Sequence, residues 1–239
     1  MRAIVVTPTY NEINNIEHFT EQVRKAAPGV HLLIVDDNSP DGTGGVADRL
    51  TESFPGEVMV LHRERKEGLG RAYVAGFRMA IGKGYDVILQ MDADLSHDPV
   101  YIPKMLDRIR DCDLVLGSRY IRGINVVNWD LKRLILSKTA NWYVQIVTGI
   151  KATDATGGFK CWRREALESI TLDDVLSNGY VFQIEMTCKA IWKGLRVEEE
   201  PIIFYERNLG ESKMDPRIIG EALWRVWNLR LHRRRLSRK

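Results

Sequence analysis

Two aspartates that follow an apolar run have the clearest chemical meaning in this sequence. Asp92 and Asp94 come directly after Val87–Met91, a short strand-like segment. In extended backbone the side chains of residues i and i+2 point to the same side, so the two carboxylates would lie next to each other. Paired carboxylates suit Mg²⁺ or Mn²⁺, with diphosphate oxygens and water as further ligands, and Ser96 or His97 could add one more. An Asp-x-Asp triplet also occurs as a cap or turn, so its place after a strand is what favours a metal site.

Two more polar segments follow apolar runs, Thr7–Glu12 after the first and Asp36–Thr43 after the second. Ligands of parallel α/β sheets collect at the carboxyl ends of the strands, where these segments would meet Asp92 and Asp94. Three acidic segments at one edge would repel each other unless a cation or hydrogen-bond donors balance them. A nucleotide offers donors and a divalent metal offers charge, so the pattern predicts both at this edge.

The segment Glu67–Ala72 opens a helical pattern with two glycines, Gly68 and Gly70. It matches neither the dinucleotide-binding fingerprint, because no G-x-G-x-x-G follows the first strand, nor the P-loop. Two interpretations stay open: a glycine-assisted helix start, and a close approach of the backbone to a ligand.

The first half of the chain alternates short apolar runs with amphipathic stretches. This pattern predicts an α/β fold, with a mostly parallel sheet covered by helices on both faces. The predicted strands are Ala3–Thr7, Leu32–Val35, Val58–Leu61, Val87–Met91 and Leu114–Leu116.

The alternation stops near residue 120. The predicted elements beyond it are the helices Leu131–Thr148, Val181–Trp192 and Asp215–Leu236 and the strands Phe159–Trp162 and Val197–Tyr205. Pro201 indicates an edge or a bulge in the last strand. We interpret residues 1–214 as one domain, with a nucleotide-sugar-binding half to residue 118, an acceptor half over 119–214, and a separate C-terminal helix over 215–239.

Charge is distributed unevenly along the 239 residues. Residues 217–239 hold eight Lys or Arg and one acid, so this tail has a net charge of +7. Since the whole chain has a net charge of +3, residues 1–216 have a net charge of −4. Three scattered cysteines without a C-x-x-C spacing predict neither a zinc site nor a disulfide framework, and they fit a reducing cytoplasm. No signal peptide is visible, and no apolar run approaches the roughly 18 residues of a membrane-spanning helix.

The C-terminal helix combines apolar residues, Trp224 and Trp227 with an arginine run. Such a composition is typical of a helix that lies in a membrane interface, which we expect here. The alternative is a helix that packs on the body and ends in a basic tail. Nucleic-acid binding is not expected, because the body is acidic and no recognition motif is present.

Taken together, these segments resemble family 2 glycosyltransferases, which have the GT-A fold. The segments that carry this resemblance are Thr7–Glu12, Val35–Thr43, Gly68–Ala72 and Asp92–Pro99. The second half is similar to the polyprenol-phosphate and dolichyl-phosphate mannosyltransferases within that family. It is similar in Gly117–Tyr120, Trp129–Arg133, Thr156–Lys160, Gly179–Glu185 and Arg207–Lys213.

The resemblance implies roles for individual residues. It implies that the nucleotide sugar is bound by Pro8, Tyr10, Glu12, Val35, Asp37, Ala93, Arg207 and Lys213. It implies that Asp92, Asp94 and Ser96 hold the metal, and that Arg119 and Arg133 meet the acceptor phosphate. The implied catalytic residues are Asp94, Arg119, Gln183 and Glu185, the last two near the transferred sugar.

The implied activity is transfer of mannose from GDP-mannose to a polyprenyl monophosphate, with inversion and with Mg²⁺ or Mn²⁺. A lipid phosphate is already anionic near pH 7, since its second pKa is about 6, so no strong general base is needed. A UDP-glucose donor and a non-catalytic nucleotide-sugar-binding subunit are the alternatives. We expect the chain at the cytoplasmic face of a membrane, and a membrane-protein partner is left open.

Overall fold

The computed structural model describes residues 1–175, 177, 179–206 and 216–233. Within them the strands are β1 Ala3–Thr9, β2 His31–Asp36, β3 Val58–His62, β4 Val87–Gln90, β5 Leu114–Ser118, β6 Val126–Val127, β7 Lys160–Arg163, β8 Val197–Pro201 and β9 Phe204–Tyr205. The α-helices are α1 Ile16–Ala26, α2 Thr43–Ser53, α3 Leu69–Gly82, α4 Ile102–Arg108, α5 Leu131–Thr148, α6 Arg164–Ser169, α7 Gly179–Trp192 and α8 Pro216–Leu231.

A seven-stranded sheet in the order β3-β2-β1-β4-β7-β5-β8 forms the centre of the molecule. Strands β1 to β4 pair in parallel, and β5 pairs in parallel with β8. Strand β7 is the exception, since it runs antiparallel to both β4 and β5. The predicted α/β class with a mostly parallel sheet is therefore confirmed.

Both faces of the sheet are buried at its centre, which explains why β1, β2 and β4 are largely apolar, whereas the edge strand β8 contains three glutamates. On one face, Val6 and Val35 belong to a core that also contains residues of α3 and α7. On the other face, Val5 and Ile34 pack with residues of α1, α2 and α4. The sheet lies between the two cores, which hold its strands in place. The loops at the carboxyl ends of the strands are therefore attached to a rigid support.

The later elements follow the sequence pattern closely. Helix α5 spans the predicted residues Leu131–Thr148, with the Asp130 side chain accepting a hydrogen bond from the Arg133 amide at its start. The predicted strand Val197–Tyr205 divides into β8 and β9, and β9 pairs with β6 in a separate two-stranded sheet. Pro201 ends β8 at the edge of the main sheet, as its missing N–H requires.

Helix α8 packs against the body beside α5 and α7. Its Val226 and Leu229 are buried in the core, and the Tyr143 hydroxyl of α5 donates a hydrogen bond to the Leu223 carbonyl at 3.1 Å. Trp224 and Trp227 remain 65% and 50% exposed. The helix thus combines a packed side with an exposed aromatic side. No helix in the described ranges is long and apolar enough to cross a membrane.

Helix α3 approaches the sheet closely at Gly76. A Cβ atom at this position would collide with Val6 Cγ1 and lie 2.9 Å from Val35 Cγ2. We therefore expect Gly76→Ala to lower the free energy of unfolding by about 1–3 kcal/mol, because the buried strands cannot move away. Urea unfolding checks this. Gly82→Ala in the same helix is the matched control, since nothing lies within 4 Å of its Cβ position and helix propensity favours alanine. Equal stability of the two variants would contradict the expectation.

Candidate active site

The loops after β1 and β2 are joined by hydrogen bonds into one wall. The amide of Asn11 donates to Ser39 Oγ at 3.1 Å, and the amide of Glu12 donates to Thr43 Oγ1 at 3.0 Å. The amide of Ile13 donates to Asp41 Oδ2 at 3.2 Å. The first two polar segments of the sequence therefore lie together, as predicted from their positions at the ends of parallel strands.

Asp37 is buried in this wall beside Arg63, which follows β3. Its carboxylate accepts a hydrogen bond from the Arg63 guanidinium, which also contacts Glu67. Burial raises the pKa of Asp37 above its ordinary value, although the charge and hydrogen bond of Arg63 oppose the increase. The Asp37 amide donates to the Thr9 carbonyl at 3.0 Å. Asp37 is thus held rigidly next to the β1 loop.

Pro8 and Tyr10 are half-buried at the rim of the same wall. The Lys66 ammonium lies 3.5 Å from the centroid of the Tyr10 ring. Val35 pairs with Pro8 across β1 and β2, but its side chain is fully buried toward α3, so only its backbone can meet a ligand. Tyr10 and Pro8 offer a surface on which a base could stack. The carboxylates beside them offer hydrogen-bond acceptors to the base and the ribose.

Asp92 and Asp94 lie in the loop that follows β4. The Tyr73 hydroxyl of α3 donates to Asp92 Oδ1 at 2.9 Å. Ser96 donates to Asp94 Oδ1 from its hydroxyl at 2.6 Å and from its amide at 3.0 Å. Leu95 has a φ of 59°. This left-handed conformation costs a residue other than glycine about 1–2 kcal/mol. Strain of this kind persists where the surroundings enforce it, which fits a functional turn.

The donor set of this loop fits a divalent metal that shares its ligands with a substrate. Among the residues that the structure describes, no group of three or more His, Cys, Asp or Glu side chains could hold a metal ion. The two carboxylates would leave other positions to diphosphate oxygens and water, the usual arrangement for Mg²⁺. A Cβ at Gly158 would lie 3.0 Å from Asp92 Oδ2, so this glycine keeps the space beside the carboxylate open. Ser96 is a partner of Asp94 here, and Ala93 is buried between the two acids in sequence.

Arg119, directly after β5, is buried against Asp154. Its Nε and Nη2 atoms each donate to the Asp154 carboxylate at 2.7 Å, and its amide donates at 3.0 Å. Burial alone would raise the pKa of Asp154, but the Arg119 charge and these hydrogen bonds outweigh it and hold the pKa below its ordinary value. Nη2 also donates to Thr156 Oγ1 at 2.8 Å. The guanidinium predicted to meet an acceptor phosphate is therefore anchored bidentately from one side.

Arg133 in the first turn of α5 is brought close to Arg119. The Trp129 ring lies 4.4 Å from the Arg133 guanidinium and 5.5 Å from that of Arg119. Arg133 is only partly buried and donates a hydrogen bond to Glu206. Each guanidinium also pairs with a carboxylate, Arg119 with Asp154 and Arg133 with Glu206, so the two arginines meet on one indole ring next to β9 without a net positive charge.

Gln183 and Glu185 both lie on α7, but they point in different directions. Residues i and i+2 of a helix are about 200° apart around its axis. Gln183 faces the sheet, where its Oε1 accepts hydrogen bonds from Gln90 and Lys160. Glu185 pairs with Lys189 at 3.0 Å and accepts a hydrogen bond from the Ser177 amide at 3.0 Å. Gln183 is therefore linked to Gln90, two residues before Asp92, whereas the contacts described for Glu185 are with Ser177 and Lys189.

Asp154, Tyr73 and Lys160 were not selected from the sequence, whereas His97 was named as a possible metal ligand. Asp154 and Tyr73 carry no motif of their own. Lys160 is a charged residue between Phe159 and Cys161 in the predicted strand Phe159–Trp162, which was a usable signal. His97 is buried between Phe159 and Phe204, and its Nδ1 has no hydrogen-bond partner in the described part of the chain. Burial lowers the pKa of His97, although the nearby carboxylates of Asp92 and Asp94 oppose the shift. Arg207 and Lys213 lie outside the described residues.

Curated relatives match the chain over nearly its whole length. It is 48% identical over 232 residues to a polyprenol monophosphomannose synthase of Mycolicibacterium smegmatis, covering 96% of this chain and 88% of that protein. It is 46% identical over 231 residues to an undecaprenyl-phosphate mannosyltransferase of Micrococcus luteus, covering 96% of this chain and 95% of that protein.

Solved structures share the fold at low sequence identity. Glucosyl-3-phosphoglycerate synthase from Mycobacterium tuberculosis, in complex with Mn²⁺, uridine diphosphate and glucosyl-3-phosphoglycerate, superposes with a TM-score of 0.68 at 19% identity. The match covers 97% of this chain and 80% of that one. A further structure of the same enzyme with Mn²⁺, uridine diphosphate and phosphoglyceric acid gives a TM-score of 0.69 at 18% identity, over 97% of this chain and 78% of that one. The fold is therefore GT-A.

A family model places the chain among known sequences. The model described as glycosyl transferase family 2 matches residues 4–171, which include β1 to β7 and the loops that carry Asp37, Asp92 and Arg119. The resemblance inferred from the sequence segments is confirmed by this match and by the curated relatives. The chain is a glycosyltransferase and belongs to glycosyl transferase family 2.

Proposed function

We propose that this protein transfers mannose from GDP-mannose to a polyprenyl monophosphate and inverts the anomeric centre. The observation that carries the proposal is the position of Arg119 and Arg133 around Trp129, close to the Asp92 loop. Phe204 connects the two regions, because its ring contacts His97 and lies 5.4 Å from the Arg119 guanidinium. An acceptor that is itself an anion needs guanidinium groups of this kind, which can bind a phosphate through charge-assisted hydrogen bonds. The names of the two curated mannosyl-transferring relatives support the choice of sugar and acceptor.

The wall formed by the β1 and β2 loops is the proposed donor site. Pro8 and Tyr10 would pack on the base, while Glu12 and Asp37 would accept hydrogen bonds from the base and ribose. The Val35 backbone and buried Ala93 complete this site. Arg207 and Lys213 are proposed to approach the diphosphate. UDP-glucose is the second candidate donor, because solved enzymes of the same fold hold uridine diphosphate or UDP-glucose.

Asp92 and Asp94 are proposed to hold Mg²⁺ or Mn²⁺, with Ser96 as an additional candidate ligand. When bound, this metal would stabilise negative charge on the leaving diphosphate as a Lewis acid. Two solved neighbours contain Mn²⁺ together with uridine diphosphate, which supports a divalent ion at this loop. In the reaction, a lipid phosphate oxygen attacks C1 of mannose from the face opposite the diphosphate, and the C1–O bond to GDP breaks. One displacement of this kind inverts C1.

The chain's own residues would bring the two anions together and orient them. Arg119 and Arg133 would lower the repulsion between the acceptor phosphate and the donor diphosphate. Gln183 and Glu185 are proposed near the transferred sugar, Gln183 with the stronger support because it contacts Gln90, the last residue of the strand that leads to Asp92. No group has to remove a proton, because the phosphate monoester is already anionic near pH 7. A non-catalytic nucleotide-sugar-binding role would not account for the two guanidiniums that meet beside Trp129.

Peripheral attachment to the cytoplasmic face of a membrane is proposed for the surface of α5 and α8. Exposed apolar side chains cover it: Leu131, Ile135, Trp142 and Ile146 of α5, and Leu223, Trp224, Trp227 and Leu231 of α8. Exposed Arg230 and Arg233 lie at the end of α8, where they would attract anionic lipids. In this proposal residues 1–214 perform the chemistry and 215–239 hold the domain at its lipid substrate, with or without a membrane-protein partner.

The metal assignment predicts that Asp94→Asn lowers mannose transfer about 100-fold or more, the usual scale for loss of charge stabilisation in the transition state. The assay follows radiolabelled mannose from GDP-mannose into polyprenyl phosphate with Mn²⁺ or with EDTA. Asp107→Asn is the control, because its side chain is 82% exposed on α4. Transfer that is indifferent to both EDTA and Asp94→Asn would refute the metal site. If the protein transfers glucose from UDP-glucose and no mannose from GDP-mannose, the donor is UDP-glucose.

The membrane assignment predicts that Trp224→Ala together with Trp227→Ala weakens binding to anionic phospholipid vesicles about 10-fold or more, because two interfacial aromatic side chains are lost. Co-sedimentation of the full chain measures this. Val100→Ser is the control, since Val100 is an apolar residue 55% exposed outside α5 and α8. Unchanged vesicle binding by the double variant would exclude this surface of α8 from the interface.

A further inference from the structure

A lysine is fully buried beneath the proposed active site. Lys160 is the first residue of β7 and pairs with Gln90 of β4 and Leu116 of β5. Its ammonium donates to the Gln183 carbonyl at 2.6 Å and to Gln183 Oε1 at 3.2 Å. Within the described residues no ion pair joins it to an acid. A buried cation that relies on neutral oxygens is unusual in an otherwise apolar sheet.

Burial of the Lys160 ammonium lowers the stability of the fold. Desolvation lowers its pKa to about 7, although the nearby carboxylates of Asp154 and Asp92 oppose the shift. An apolar side chain of similar length would fill the same volume without this penalty. Residues that are unfavourable for packing or stability occur mainly at functional sites, so we infer that Lys160 has a functional role.

That role follows from the hydrogen-bond chemistry of the ammonium group. Because Lys160 Nζ donates to the carboxamide, the atom that faces it is oxygen, which fixes the orientation of Gln183. Gln90 must in turn present its Nε2 to the same oxygen, as the contact between the two glutamines shows. With Oε1 accepting from two donors, the NH₂ group of Gln183 is the end of the carboxamide that can donate to a ligand.

This carboxamide contacts Gln90, the last residue of β4, the strand that leads into the Asp92 loop. Gln90 is two residues before Asp92 in sequence, and Lys160 is two residues after Gly158, the glycine beside Asp92 Oδ2. Helix α7 is held in place by Phe182, whose ring stacks on Tyr73 at 5.6 Å with an interplanar angle of 4°. Tyr73 in turn donates to Asp92. Helix α7, which carries Gln183, is therefore linked to the Asp92 loop through Phe182 and Tyr73.

We propose that Lys160 is a positioning residue that fixes the carboxamide of Gln183, so that its NH₂ group donates a hydrogen bond to a hydroxyl of the transferred sugar. The inference rests on the proposed function for the identity of the sugar. Lys160 itself does not touch the substrate. Its effect is to prevent the amide from turning its oxygen toward the sugar.

The test compares Lys160→Met with Lys160→Arg in the full chain. We expect Lys160→Met to lower kcat for mannose transfer about 10–100-fold, the scale of a misplaced contact in the transition state. Affinity for GDP, which lacks the sugar, should stay within about twofold, while affinity for GDP-mannose falls toward that of GDP. Lys160→Arg keeps a buried donor and should recover part of kcat.

A second background separates positioning from a general structural effect. In a Gln183→Ala protein, Lys160→Met should cause no further loss of kcat, because residues acting through one another are not additive. Equal losses in both backgrounds, equal losses of GDP and GDP-mannose affinity, or an unchanged kcat would overturn the proposal. If the unmodified protein transfers no mannose at all, the proposed function fails, and the GDP and GDP-mannose affinities still decide the role of Lys160.

Discussion

The buried pair of Arg119 and Asp154 is the interaction on which the acceptor side of the molecule depends. Two charges removed from water remain stable only when each satisfies the other, and loss of one partner typically costs about 3–5 kcal/mol. The same carboxylate is linked to α5 through Asn141, and the neighbouring Thr153 is held by Glu199 of β8. These contacts fix four parts of the chain relative to one another: the end of β5, the loop that contains Thr153 and Asp154, helix α5 and strand β8.

The candidate metal ligands are held in a different manner. Asp92 accepts from the Tyr73 hydroxyl and Asp94 from the Ser96 hydroxyl, donors that orient a carboxylate without cancelling its charge. Asp154, in contrast, is neutralised by a guanidinium. The acids of the site are therefore held in two ways, Asp92 and Asp94 by hydroxyl donors and Asp154 by a guanidinium.

How much the sequence predicted depends on the range of the interaction. The strands and helices were recognisable because their apolar periodicity is local, and the Asp92 loop because it follows a strand. Asp154 could not be identified, since its meaning comes from Arg119, 35 residues away. The opposite directions of Gln183 and Glu185 follow from helix geometry, but which of them faces the sheet depends on how α7 docks. Lys160 was visible as an anomaly, yet its partner Gln183 lies 23 residues further along.

The antiparallel strand β7 has a consequence for how the protein folds. It enters between β4 and β5 only after both have been synthesised, so the inner edge of β4 stays unpaired until residue 163 has emerged. Contacts of such long sequence separation slow folding, and an open edge strand invites pairing with other chains. The amino-terminal half is therefore not a self-sufficient folding unit, although it holds most of the proposed nucleotide contacts. Any shortened form that stops before β7 would expose a hydrophobic strand edge and tend to aggregate.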